Sequence, residues 1–278
     1  MKQFIYSAFA DEASPVLYEQ MEAMQKAGIT HLEMRGVNGR NVSNLNYEEA
    51  KCIKYFMDDA GLRVWSIGSP IGKTKITDPF APQMERFKRL LDIAVGTGAS
   101  VMRVFSFYEV NTPWKKNEAL VRLSAMCETA KRSGVRICHE NEKGIYGDSA
   151  ENCAEILSAI PDLGCVFDPA NFIQCGVDPL KAWELLADRT TYLHVKDALP
   201  GGKVVPAGHG VGNLPAIIAD FGKRGGKVLS LEPHLTSFQG LDDFEMNKKS
   251  IIDPYVYPDP KTAFAAAADA LKKITEAI

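Results

Sequence analysis

The chain has 278 residues, 46% of them hydrophobic, with a formal net charge of −3 and an isoelectric point near 6.0. That length suits one large domain able to bury a core without disulfides. The weakly acidic balance gives no general attraction for nucleic acid or for an anionic membrane surface.

The predicted elements alternate short apolar runs with helical stretches. The first run, 4–9, leads to a helix over 15–27, where Val16, Leu17, Met21, Met24 and Ala27 recur at helical spacing before Gly28. The second strand, 30–34, precedes a helix over 47–60. The third, 62–67, precedes one over 81–95, and the fourth, 101–105, one over 116–132. The fifth strand, 135–140, is followed by a helix over 150–159 that stops before Pro161. The sixth, 163–168, pairs with a helix over 179–186, the seventh, 191–194, with one over 214–223, and the eighth, 228–232, with an Ala-rich helix over 261–274.

Eight strand–helix units predict an α/β fold, a (β/α)8 TIM barrel in a single domain spanning 1–278. An open doubly wound sheet would want a glycine-rich phosphate turn after the first strand, and Phe9-Ala-Asp-Glu-Ala-Ser14 is not one. Two connections are long, 198–212 and 233–260, and the second is expected to act as a lid. The start of the chain lacks a long apolar core before a small-residue cleavage site, and no run approaches the ~20 apolar residues of a membrane span. The six cysteines form no CxxC pair, so reduced, structural thiols and a cytoplasmic location are expected.

Glu140, Asp168, His194 and Glu232 each end one of the last four apolar runs. The C-terminal ends of parallel barrel strands form one rim, so these four side chains should meet. Any one of them alone reads as a helix cap, a loop residue or a core histidine; their occurrence on successive strands makes a site. Carboxylates with a single imidazole suit one divalent metal ion, Mn²⁺ first, with Mg²⁺, Co²⁺ and Zn²⁺ also allowed. Arg103 ends the fourth strand. Lys196 lies two residues beyond His194 and so on the same side of the strand, and His209 lies between two glycines. These are expected substrate contacts, with Arg103 alternatively pairing with Glu33 or Glu140. Glu33 and Arg35 end the second strand and are expected to brace the site, while His139 should point away from it.

Glu140-Asn141, Asp168-Pro-Ala-Asn171, His194-Val-Lys-Asp197 and Leu231-Glu-Pro-His234 resemble the motif set of the xylose isomerase-like (β/α)8 superfamily of sugar isomerases and epimerases. The resemblance extends over the whole chain. It implies that Glu140, Asp168, His194 and Glu232 bind one divalent metal, and that Glu140 and Glu232 are catalytic, facing opposite sides of the substrate carbon. One removes the proton α to the carbonyl of a ketose or keto-sugar, free or phosphorylated, and the other returns it. The chemistry needs a base, a charge sink and a reprotonating acid, which two carboxylates beside one metal supply.

Two departures stand out. Asn171 occupies a position where many epimerases carry His; it can bond a substrate but cannot titrate near neutral pH. Pro200 and Gly201 stand where many carry an Arg. The alternative reading is therefore a metal-dependent dehydratase of a keto-inositol or keto-polyol. Abasic-site endonucleases of the same superfamily need several zinc ions and many histidines, whereas this chain has five His and no basic face. The expected partner is a small sugar or keto-polyol, not nucleic acid or membrane, and a homo-oligomer is allowed.

Overall fold

Each predicted apolar run becomes one strand of a closed parallel barrel in the computed structural model, which describes residues 4–237 and 257–278. The strands are β1 (Ile5–Ala8), β2 (His31–Met34), β3 (Arg63–Gly68), β4 (Val101–Val104), β5 (Arg136–Glu140), β6 (Gly164–Phe167), β7 (Thr190–Val195) and β8 (Val228–Leu231). They pair in chain order, and β8 returns to β1 with Ile5 beside Val228 and Ala8 beside Leu231. Most of the proposed lid, residues 238–256, lies outside the described residues.

The outer helices are α1 (Leu17–Lys26), α2 (Tyr47–Asp59), α3 (Phe80–Thr97), α4 (Pro113–Ala130), α5 (Ala150–Ala159), α6 (Pro169–Gln174), α7 (Pro179–Leu186), α8 (Leu214–Lys223) and α9 (Pro260–Glu276). Local chemistry sets several of their starts. Asn46 and Glu49 form a reciprocal capping box on α2, and Ser149, Thr112 and Asp259 accept backbone N–H groups at the starts of α5, α4 and α9. Helix α6 has no counterpart among the predicted elements. It is only six residues long and opens with Pro169 behind the cap Asp168.

Strand alternation builds the site. Val101, Cys138, Val166 and Tyr192 form a small buried apolar cluster of their own, apart from the larger core in which Leu193 and Val195 pack. Two residues further along each strand come Arg103, Glu140, Asp168 and His194, which therefore rise from the same face. The apolar cluster is the floor, and the polar quartet lies one layer towards the strand ends. Gly68, at the end of β3, keeps this layer open: a Cβ there would come within 2.5 Å of the Phe9 ring and 3.2 Å of the Arg103 guanidinium. No helix among the described residues is long and apolar enough to cross a membrane.

Candidate active site

Glu140, Asp168, His194 and Glu232 are all buried, and each offers one ligand atom within 4.8 Å of the others. His194 is the hub. Its Nδ1 lies 3.0 Å from Glu140 Oε1, 3.5 Å from Glu232 Oε2 and 3.9 Å from Asp168 Oδ2.

The three carboxylates are held differently. Glu140 turns its other oxygen, Oε2, to the Arg103 guanidinium, and Glu232 turns Oε1 to Arg35 Nη1 at 3.1 Å. Each glutamate thus has one oxygen in the cluster and one on a buried guanidinium. Asp168 uses Oδ1 to cap α6 through the Asn171 N–H at 3.0 Å. Its Oδ2 lies 2.9 Å from Lys196 Nζ, within ion-pair range but off the angle of a hydrogen bond.

Electrostatics divides them the same way. Burial alone would raise the Glu140 carboxyl, but His194 and Arg103 outweigh it and hold the group below its ordinary range. Glu232 is held well below that range: burial opposes, and Lys196, His234 and His194 prevail. Asp168 goes the other way, pushed up to about 7 by burial against the pull of Lys196. His194 is raised well above its ordinary value, because Glu140 and Glu33 outweigh its burial.

These residues fit a divalent cation. Three carboxylates and one imidazole nitrogen converge, and a buried Asp168 oxygen lacks a hydrogen bond. That donor set matches hard and borderline metals.

The predicted substrate contacts divide. Arg103 pairs with Glu140. Lys196 Nζ bridges Asp168 and Glu232 at 2.9 Å each. Asn171 Nδ2 donates to Glu140 Oε1 at 3.3 Å and to the Asn141 carbonyl at 2.9 Å. His209 is exposed and stands apart from this buried group. Asp197 draws in the backbone N–H groups of Gly208, Gly210 and Gly212 at 2.9, 3.0 and 2.9 Å, which leaves the residue between the first two in solvent.

A second set of residues surrounds the cluster. Arg35 binds Asp11 through two nitrogens at 2.9 and 3.1 Å and Glu12 at 3.1 Å. Glu12 Oε2 accepts the His234 N–H at 2.6 Å, and burial pushes the Glu12 carboxyl up to about 8 against Arg35. Phe9 packs edge-on to His194 at 5.2 Å with the Arg35 guanidinium 4.4 Å from its ring, so it is enclosed and leaves no face for a sugar. His139 points away from the cluster, as expected, and bonds Ser106 Oγ at 2.9 Å. Sequence reasoning missed Asp11, Glu12, His234, Tyr192 and Ser230. Alternation could have found the last two, since Tyr192 precedes His194, and Ser230 precedes Glu232, by two residues.

Residues 21–274 match the family described as xylose isomerase-like TIM barrel. The uncharacterized protein YihM of Escherichia coli is 30% identical over 114 residues; the match covers 40% of this chain and 35% of YihM. D-allulose 3-epimerase from Methylomonas sp., solved with D-allulose, superposes with a TM-score of 0.75 at 14% identity, covering 99% of this chain and 98% of that one. AsbF of Bacillus anthracis, described as a probable 3-DHS dehydratase, gives 0.74 at 16% identity, covering 98% of this chain and 99% of that one. At such identities the superpositions speak for the fold alone. The family match spans nearly the whole chain, and with it the protein belongs to the xylose isomerase-like TIM barrel family.

Proposed function

We propose that this protein is a divalent-metal-dependent sugar isomerase or epimerase that moves a proton α to the carbonyl of a ketose or keto-sugar. One observation carries the reading: Glu140 and Glu232 each place one oxygen at the cluster and the other on a buried guanidinium. The groups around them, His194 and Arg103 at Glu140 and Lys196, His234 and His194 at Glu232, hold these buried carboxyls below their ordinary range and so ionised, which a general base requires. Glu140 and Glu232 take the two proton-handling roles, one abstracting and one returning. Asp168, tied to the start of α6, and His194 serve as holders. A bound Mn²⁺, Mg²⁺, Co²⁺ or Zn²⁺ on these four residues would supply Lewis-acid stabilisation of the negative charge that develops on the substrate.

Arg103 and Lys196 each lie beside a cluster carboxylate and offer N–H donors to a substrate oxygen entering there, while Asn171, its amide N–H groups already donated, offers the oxygen Oδ1 to a substrate hydroxyl. In this reading they orient the hydroxyls next to the reacting carbon. His209 would touch only the outer end of a substrate.

A second reading, loss of water β to the carbonyl of a keto-inositol or keto-polyol, rests on Asn171. Its amide is already committed to Glu140 and the Asn141 carbonyl, and it cannot carry a proton to or from a hydroxyl.

The test is a panel of keto-sugars, free and phosphorylated, followed by NMR in D₂O with added Mn²⁺. Proton transfer α to a carbonyl predicts deuterium at that carbon, and Glu140→Gln or Glu232→Gln should abolish it. Exchange undiminished in both variants would overturn the two-glutamate scheme. An unsaturated product would select dehydration.

A further inference from the structure

We propose that Glu33 is a positioning residue for His194 and fixes Nδ1 as the ring nitrogen that faces the metal. The inference rests on the metal reading above and extends it to a residue outside the four ligands.

Glu33 lies in β2, fully buried, and four side-chain donors converge on its two oxygens. Tyr192 Oη donates to Oε1 at 2.7 Å, and Ser66 Oγ to the same oxygen at 3.3 Å. Ser230 Oγ donates to Oε2 at 2.7 Å, and His194 Nε2 lies 3.3 Å from that oxygen. The backbone arranges the meeting. A register shift between Leu32 and Glu33 sets Glu33 beside Ser66 on β3, and the β7–β8 register sets Ser230 beside His194.

An ionised carboxylate only accepts hydrogen bonds, and two oxygens offer about four lone-pair sites. Glu33 is therefore saturated by donors, and His194 must present N–H, not a lone pair, at Nε2. With a metal held among the four ligands the Nδ1 lone pair would face the cation, whereas the reverse tautomer would set the Nε2 lone pair against the Glu33 oxygen. With Nε2 committed, Nδ1 is the remaining ring nitrogen, and it is the one surrounded by Glu140, Glu232 and Asp168. The ring cannot swing to exchange the two nitrogens, because Phe9 and Tyr192 pack against it at 5.2 and 5.4 Å. A carboxylate behind a metal-bound histidine also makes the imidazole a stronger donor, and loss of such partners typically weakens metal affinity by about 10–100-fold.

The test uses the full chain, ¹⁵N-labelled at histidine and loaded with Zn²⁺, read by long-range ¹H–¹⁵N correlation. The expected spectrum has the His194 proton on Nε2 and the metal on Nδ1. A proton on Nδ1 would overturn the proposal. This spectrum needs no variant, so a Glu33→Gln chain that failed to fold would leave the test standing. In a folded Glu33→Gln protein, Zn²⁺ affinity from competition titration should fall by about 10–100-fold; affinity equal to wild type would contradict the role. If the wild-type chain takes up no Zn²⁺, the metal reading falls by itself. The Glu33 contact is then judged on the metal-free protein, where Glu33→Gln must shift the Nε2 proton and an unmoved signal would refute it.

Discussion

Around the rim of the barrel, β5 to β8 lead to Glu140, Asp168, His194 and Glu232, whereas β1 to β4 lead to Asp11, Glu12, Glu33, Arg35 and Arg103. Both halves are polar and buried, yet they close differently. In the first half, one atom from each side chain faces a common point. In the second, the charges satisfy each other: Arg35 alone binds Asp11, Glu12 and Glu232. Glu33 is likewise surrounded by donors. Buried charge is tolerated only when paired and hydrogen-bonded. The contrast shows a holding half supported by an orienting half, joined where Arg35 and Arg103 reach across to the two glutamates.

The hardest way to break that division is Arg35→Met. It leaves Asp11, Glu12 and Glu232 without their shared cation, and removing one member of a buried ion pair costs about 3–5 kcal/mol. Urea unfolding should register that loss; a change near zero would mean the orienting half does not depend on this residue.

Glu142, beside the rim, sharpens the comparison through pH. Burial would raise its carboxyl, but Lys73 and Lys143 overcome that and lower it from 4.5 to about 2. A carboxyl depressed by folding contributes stability that is fully present above its unfolded value and lost as pH falls through its folded one. The contribution is about 3 kcal/mol from a shift of this size. Glu142→Gln should therefore be clearly less stable than wild type at pH 7, with the gap closing as pH drops from about 4.5 towards about 2. A gap equal at pH 7 and pH 3 would contradict the assignment.

Asp168 is raised to about 7 by burial, and ligation takes its ionised form. His194, raised well above its ordinary value, already has to lose a proton to bind metal, and below about 7 Asp168 adds a second, so affinity should fall by about a further tenfold per pH unit there. Calorimetric titration at several pH values checks the slope, and a profile no steeper below pH 7 than above it would count against Asp168 as a ligand. The smallest effect is expected at His209, which is exposed and outside the cluster. His209→Ala should change metal affinity by no more than about 0.5 kcal/mol, and a large loss would bring that loop back into the site.

Much of the holding half was legible in the sequence because its signals are local. A two-residue period fixes which side chains share a face, and an acidic residue or histidine at the end of an apolar run marks the rim. The orienting half was less legible. Asp11 and Glu12 sit in a short helical turn after β1, and Arg35 meets Glu232 across 197 residues of chain. No periodicity reports such a pairing. The register shift at Leu32/Glu33, which turns Glu33 towards Ser66, leaves no mark in composition either. Helix α6 escaped for another reason: six residues make fewer than two turns, too short for a helical pattern to repeat. His209 looked promising for its place between glycines, but those glycines serve the backbone contacts with Asp197.

The central claim, that the four strand-end residues form one metal site, is tested most directly by metal stoichiometry. The protein would be equilibrated with Mn²⁺, passed through a desalting column and analysed by mass spectrometry for bound metal. The expected result is one ion per chain in the wild type and loss of that ion in Asp168→Asn and His194→Gln variants that remain folded. A wild type that retains no ion, or variants that retain it as well as the wild type does, would contradict it.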